Sequence, residues 1–87
     1  MIIGFTHTHA YPGAQANLHQ AETLATGPCT VEFSDGVMVP ATLHCAGDGW
    51  ELAIDGYRTA RGTAIPGKRW RLQAEGGLLK LGARIAG

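Results

Sequence analysis

The sequence predicts a mainly β domain of the α+β type: a small antiparallel β-meander closing into a partly open barrel or sandwich, with one short N-terminal helix packed on it. Three observations carry this expectation. Turn-forming residues recur about every ten residues from Ser34 onward. Apolar residues alternate at period two between those turns. The 13 glycines sit mostly beside Asp, Pro or another Gly, where chain reversals are made. A chain of 87 residues with 45% hydrophobic and 16% charged content folds as one domain. Residues 1–28 supply the N-terminal strand and helix, and residues 29–87 the meander.

Ile2 to Thr8 has the β-branched and aromatic content of a strand, with Ile3 and Phe5 on one face. Tyr11-Pro12-Gly13 breaks it. Leu18, Ala21 and Leu24 or Ala25 then recur at helical spacing, between Pro12 and Gly27-Pro28, which predicts a short helix over about Ala14 to Ala25, with His19 on its exposed side. From Cys29 the period changes to two. Thr30–Ser34 presents Val31 and Phe33 on one face, and Ser34-Asp35-Gly36 turns the chain into Val37–Cys45, where Pro40 interrupts the strand or marks an edge. Ala46-Gly47-Asp48-Gly49 leads to Trp50–Ile54, and Asp55-Gly56 is a two-residue hairpin signal. Tyr57–Ile65, Pro66-Gly67, Arg69–Ala74, Glu75-Gly76-Gly77 and Leu78–Ile85 complete the meander.

A hairpin centre fixes which residues face each other, so the turns test the register. Centres at Gly47-Asp48, Asp55-Gly56, Pro66-Gly67 and Gly76-Gly77 set Leu43 against Leu52, Ile54 against Tyr57, Thr63 against Trp70 and Leu72 against Leu81. One face then collects Leu43, Leu52, Ile54, Tyr57, Trp70, Leu72, Leu79, Leu81 and Ile85, with Trp50 at the same parity.

The charge is unevenly spread. Residues 1–57 carry a net of −6 and residues 58–87 a net of +6, although the whole chain sums to zero. Such a split marks a binding face, an attraction between the halves inside the fold, or head-to-tail homo-oligomers through the opposed halves. The register places Arg58, Arg69, Arg71, Lys80 and Arg84 on the outward face of three successive strands, with Arg69 directly across from Arg84. Like charges opposed in this way are unfavourable by up to about 1 kcal/mol, and Glu51, diagonal to Arg58, offsets one end only. A sheet tolerating this holds a place for an anion. Lys68 lies beside the cluster. Arg61 has inward parity, with its head in water at the barrel's open end or in the mouth of a pocket.

His7 and His9 share a strand face, and with His44 and Cys45 they are candidate zinc ligands. No second close pair with ligand spacing supports them, and His44 and Cys45 point to opposite faces of one strand. Cys29 and Cys45 are offset along their hairpin by about 10 Å, beyond the ~7 Å reach of a disulfide. Two buried free thiols are expected, in a reducing compartment.

No phosphate-cradling glycine loop, GxSxG or HExxH occurs, and no cofactor is expected. No apolar run approaches the ~20 residues of a membrane span, and Met1-Ile2-Ile3 lacks the basic flank of a signal peptide, so a cytoplasmic protein is expected. The residues point to a non-enzymatic interaction module, adaptor-like or inhibitor-like, whose basic face docks on an acidic surface of a partner protein. The alternative is a nucleic-acid-binding barrel using the same cations; a pI near 6.9 and inward-facing aromatics weigh against it. A metal-binding protein using His7, His9, His44 and Cys45 is the third reading.

Overall fold

In the computed structural model, which describes residues 2–17, 25–47, 49–75 and 78–85, the alternation of apolar and polar residues resolves into strands. They are β1 (Ile2–Phe5), β2 (Gln15–Asn17), β3 (Gly27–Glu32), β4 (Met38–Ala46), β5 (Gly49–Ile54), β6 (Tyr57–Arg58), β7 (Ala64–Ile65), β8 (Lys68–Glu75) and β9 (Leu78–Ile85). Seven of them close a barrel in the order β1-β2-β9-β8-β5-β4-β3, while β6 and β7 form a separate two-stranded ribbon. Each neighbouring pair is antiparallel except β1 and β3, which run parallel with Ile3 beside Val31. The barrel is therefore closed and mixed, where the sequence predicts a partly open, antiparallel one. Two short strands make the difference: β1 pairs with β3 on one side and β2 on the other, and β2 reaches β9.

The predicted N-terminal helix is overturned over its first turn. Gln15–Asn17 is a strand, and Ala14 and Ala16 are fully buried. The alanines that suggest helix propensity are instead small side chains fitted into a barrel wall, and pairing with β1 and β9 overrides a weak local preference. Residues 18–24, including His19 and the rest of the predicted helix, lie outside the described residues. Among the described residues there is no helix, and none is long and apolar enough to cross a membrane.

The core follows the period-two pattern closely. Leu43 pairs with Leu52, Ala41 with Ile54, Leu72 with Leu81 and Ala74 with Leu79, as the turn centres require. Ile3, Val31, Phe33, Val39, Leu43, Leu52, Leu79 and Leu81 are almost completely shielded from water. Each such aliphatic side chain contributes about 1.5–3 kcal/mol relative to an exposed one. Pro40 sits inside β4 opposite Thr30. Its carbonyl accepts the Asp55 amide at 3.2 Å, so its nitrogen faces the same side, where β5 has just ended at Ile54. The missing donor falls at a local edge, which is what makes the proline acceptable there.

Tyr57–Ile65 is not a meander strand. β5 passes over it and pairs with β8, setting Trp50 against Leu72, Leu52 against Trp70 and Ile54 against Lys68. Hydrophobic matching explains the choice. The inward positions of β8 offer Trp70 and Leu72, whereas those of Tyr57–Ile65 would have forced Arg61 and Thr63 toward the core, and a buried unpaired guanidinium is costly. Asp55-Gly56 and Pro66-Gly67 consequently do not turn hairpins. They form the neck from which the β6–β7 ribbon leaves the barrel, pairing Tyr57 with Ile65 and Arg58 with Ala64.

A second difference lies between β8 and β9. Arg69 pairs with Ile85 and Trp70 with Arg84, while Leu72 pairs with Leu81, so Gly82 and Ala83 together oppose Arg71 in a β-bulge. Past the bulge the register slips by one residue. Arg84 is not across from Arg69, and Ile85 is half-buried in place of a core residue. The slip separates the two like charges.

Candidate functional site

β8 carries Arg69 and Arg71 on its outward parity, and both are exposed. Arg69 lies in the row Thr42–Ala53–Arg69–Ile85, flanked on both sides by apolar residues. Arg71 lies in the row His44–Glu51–Arg71, so its direct neighbour is a carboxylate on β5. The sequence expectation that Glu51 serves Arg58 is corrected by the β5–β8 pairing. Lys80 is half-buried, between Gln73 of β8 and Gln15 of β2. Arg84 is exposed near the end of β9, opposite Trp70. Between these cations the wall is low: Ala53, Gly82 and Ala83 have nothing larger than a methyl group to raise. A Cβ on Gly82 would already stand 3.3 Å from the Arg71 carbonyl oxygen and 3.5 Å from Cδ of Gln73. The structure thus brings Arg69, Arg71 and Lys80 to the outward face of one wall. The bulge gives Arg84 the inward parity of its partner Trp70, so it reaches water at the strand end and not on that face, a correction to the expected outward cluster.

The other three cations are placed elsewhere. Arg58 belongs to the ribbon, where its Nη1 donates to the Gly62 carbonyl at 3.1 Å and closes the ribbon's own turn. Lys68 stands at the neck, half-buried, in a shallow groove of about 400 Å³ that it shares with Asp55 and Arg69. The acidic and basic halves of the chain therefore meet inside the molecule, at Glu51 beside Arg71 and at this neck. Arg61 is exposed at the tip of the ribbon and lines a second groove.

That groove, about 500 Å³, lies at the end of the barrel where three separate segments converge. Thr8 and His9 come from the bend after β1, Asp35 from the β3–β4 turn, and Thr59, Arg61 and Ile65 from the ribbon. The ribbon is held in place at its base. The Tyr57 ring stacks on Phe33 with centroids 5.0 Å apart and planes inclined by 25°, and its hydroxyl accepts the Ala10 amide at 3.1 Å. Burial pushes the Tyr57 phenol above its ordinary value, and the charge of Asp35 adds to the effect while the Ala10 hydrogen bond opposes it. At the tip, the Thr59 and Gly62 amides donate to the Thr63 and Thr59 carbonyls, both at 2.9 Å. The Thr63 amide donates to Oγ1 of Thr59 at 3.1 Å. Gly62 adopts φ 87°, the left-handed conformation that glycine enters freely. Arg61 on its inward parity is the sole sequence signal for this groove; nothing in the spacing of Thr8, Asp35, Thr59 and Ile65 announces that they converge.

The four candidate metal ligands fall into two groups. His7 and His9 lie on a bend, not on a strand face, and both pack against Tyr11, with ring centroids 5.0 Å and 5.6 Å apart. The Tyr11 hydroxyl is 3.1 Å from Nδ1 of His7. The His7 carbonyl accepts the Ser34 amide, which fixes this bend beside the β3–β4 turn. His44 and Cys45 sit toward the far end of β4, about 20 Å along the strand from that turn. Among the described residues no three His, Cys, Asp or Glu side chains gather as a cation cage. Cys29 is buried and Cys45 exposed, where two buried thiols are expected: Cys45 has inward parity but lies near the barrel rim, its amide donating to Oγ1 of Thr26. Burial pushes the Cys29 thiol up, with the N-terminal charge opposing.

No protein-family model matches the chain, and no curated protein or solved structure matches it either.

Proposed function

We propose that the barrel is a non-enzymatic interaction module that docks through the outer β8–β9 wall on an acidic surface of a partner protein. The observation that carries this is the placement of Arg69. It stands exposed between Ala53 and Ile85, with no acid in its cross-strand row, and Arg71 on β8 and Lys80 on β9 share its outward face. A low floor of Ala53, Gly82 and Ala83 lets a flat partner approach closely, and guanidinium forks suit the paired oxygens of carboxylates. The aromatic side chains favour a protein over a nucleic acid as the partner. Trp70 is buried on the inner face of β8, and the exposed Tyr11 is engaged with His7 and His9 away from the cations. Among the described residues, base stacking on β8 and β9 therefore has no exposed Trp, Tyr or Phe ring to use.

Fluorescence anisotropy across a salt series tests the proposal, with a labelled Asp/Glu-rich peptide, a labelled DNA duplex and a labelled RNA as probes. The acidic peptide is expected to bind at low salt, and Arg69→Glu with Arg71→Glu to abolish that binding. Tighter binding of DNA, with a log–log salt slope near −0.9 per contacted phosphate, would transfer the wall to nucleic-acid recognition. Binding of none of the three probes would overturn both.

A further inference from the structure

The geometry points to a second, independent site: the groove at the end of the barrel binds a small polyhydroxy anion, a hydroxycarboxylate or the phosphate ester of a polyol. Its volume of about 500 Å³ falls within the ~300–1,000 Å³ of small-molecule sites. Its walls come from three segments that Tyr57, Phe33 and the Ala10 amide lock together, so it exists before any ligand arrives.

The hydrogen-bonding inventory selects the ligand. Arg61 contributes a permanent positive charge and a fork of donors. Oγ1 of Thr59 already accepts the Thr63 amide, which leaves its hydroxyl hydrogen to donate. Oγ1 of Thr8 lies 3.3 Å from Nδ1 of His9; with that hydroxyl donating, the imidazole carries its hydrogen on Nε2 and becomes a further donor. Against these donors stands one carboxylate, Asp35, which spends Oδ1 on the Val37 amide and keeps Oδ2 as an acceptor. A site rich in donors, with one strong acceptor and an apolar patch at Ile65, fits a molecule that is oxygen-rich and negatively charged at one end and bears hydroxyl hydrogens at the other. Arg61 takes the anion, and Asp35 takes a hydroxyl.

Amide NMR titration with four probes tests this: gluconate, glycerophosphate, sorbitol and inorganic phosphate. Gluconate, glycerophosphate or both are expected to shift the amides of residues 8–9, 35–37 and 59–63; which of the two binds more tightly identifies the anionic group. Arg61→Gln should weaken that binding by about tenfold or more, the usual loss for a hydrogen bond to a charged group. Arg61 is exposed at the ribbon tip, so the variant keeps the fold. Asp35→Asn retains an oxygen for the Val37 amide and should weaken the hydroxylated anions while leaving inorganic phosphate unaffected. Arg69→Gln with Arg71→Gln should leave the groove's binding intact, which separates this site from the β8–β9 wall. Binding of sorbitol as tight as that of gluconate would remove the anion from the proposal, and inorganic phosphate as tight as glycerophosphate would remove the hydroxyls. Either result overturns it, as does the lack of any shift in these three segments at millimolar concentrations.

Discussion

Gly56 and Gly67 meet across the neck of the β6–β7 ribbon, so close that a Cβ on Gly67 would stand 3.1 Å from the Gly56 nitrogen and 3.1 Å from the Ile54 carbonyl oxygen. Both neighbours are backbone and cannot swing aside. The reciprocal contact is looser: a Cβ on Gly56 would lie 3.5 Å from the Gly67 nitrogen, an ordinary distance. Gly67→Ala is therefore expected to destabilise the fold by about 1–3 kcal/mol, the usual range for forced overpacking. Gly56→Ala should cost clearly less. Urea unfolding of the two variants checks the asymmetry, and equal losses would contradict the neck geometry.

Tyr57 ties ribbon to barrel, and its raised phenol pKa gives that tie a pH dependence. A group whose pKa is higher in the folded than in the unfolded chain binds its proton more tightly when folded. Its contribution is thus complete below the ordinary tyrosine value of 10.0 and is lost as pH rises through the folded one. Tyr57→Phe should lose about 1 kcal/mol at neutral pH, through the Ala10 amide left without its acceptor. It should also lose less stability than the parent on alkaline titration. Thermal melts from about pH 8 to about pH 11 compare the two, and parallel declines would refute the assignment to Tyr57.

The two thiols should separate cleanly in reactivity. Cys45 is exposed and Cys29 is buried with a raised pKa. A thiol reagent added to the native protein is expected to modify Cys45 promptly and Cys29 only as the barrel opens. They do not form a disulfide, because Cys29 pairs with Ala41 and Cys45 lies four residues, about 13 Å, farther along β4. Mass spectrometry with and without denaturant gives the order.

Among the described residues, Glu51 is the one acid directly opposite a cation of the β8–β9 wall, its partner being Arg71. Glu51→Lys replaces an opposed pair by a like one and should destabilise by about 1 kcal/mol, less at high salt. The same change makes the wall more basic, so affinity for the acidic peptide should rise even as stability falls. A variant that lowered both would indicate that Glu51 shapes the wall rather than neutralising it.

The part of the fold legible in the sequence is the part written by burial. The pairings of Leu43 with Leu52 and of Leu72 with Leu81 follow from turn centres and parity alone, and both hold. What was not legible depended on choices between competing partners. Asp55-Gly56 has the local chemistry of a hairpin, yet the next strand inward is decided by Trp70 and Leu72, which lie well beyond it. Arg84 was displaced by a bulge at Gly82-Ala83, a one-residue event that no periodicity records. Ala14 and Ala16 suit a helix and a tightly packed wall equally well, and the pairing of β2 with β9 settles the matter from the other end of the chain. Arg69, Arg71 and Lys80 could be grouped because β8 and β9 are local neighbours. The groove could not, because Thr8, Asp35 and Arg61 are joined only by tertiary structure.

Closure of the barrel depends on its thinnest member. Among the described residues, β2 is registered to β1 at Gly4–Asn17 and Phe5–Ala16 and to β9 at Gln15–Lys80 and Ala16–Leu79, whereas β4 and β5 share six such pairs. The contacts that β2 makes with β9 span most of the chain, so they form after the local ladders and contribute least to the folding nucleus. Amide exchange should accordingly be fastest along this seam, through sub-global opening that leaves β3, β4, β5, β8 and β9 assembled. Each opening strips the cover from β9 and presents its backbone to other chains, including the β2 of a second copy. Domain-swapped association on mild heating is therefore expected to start at β2.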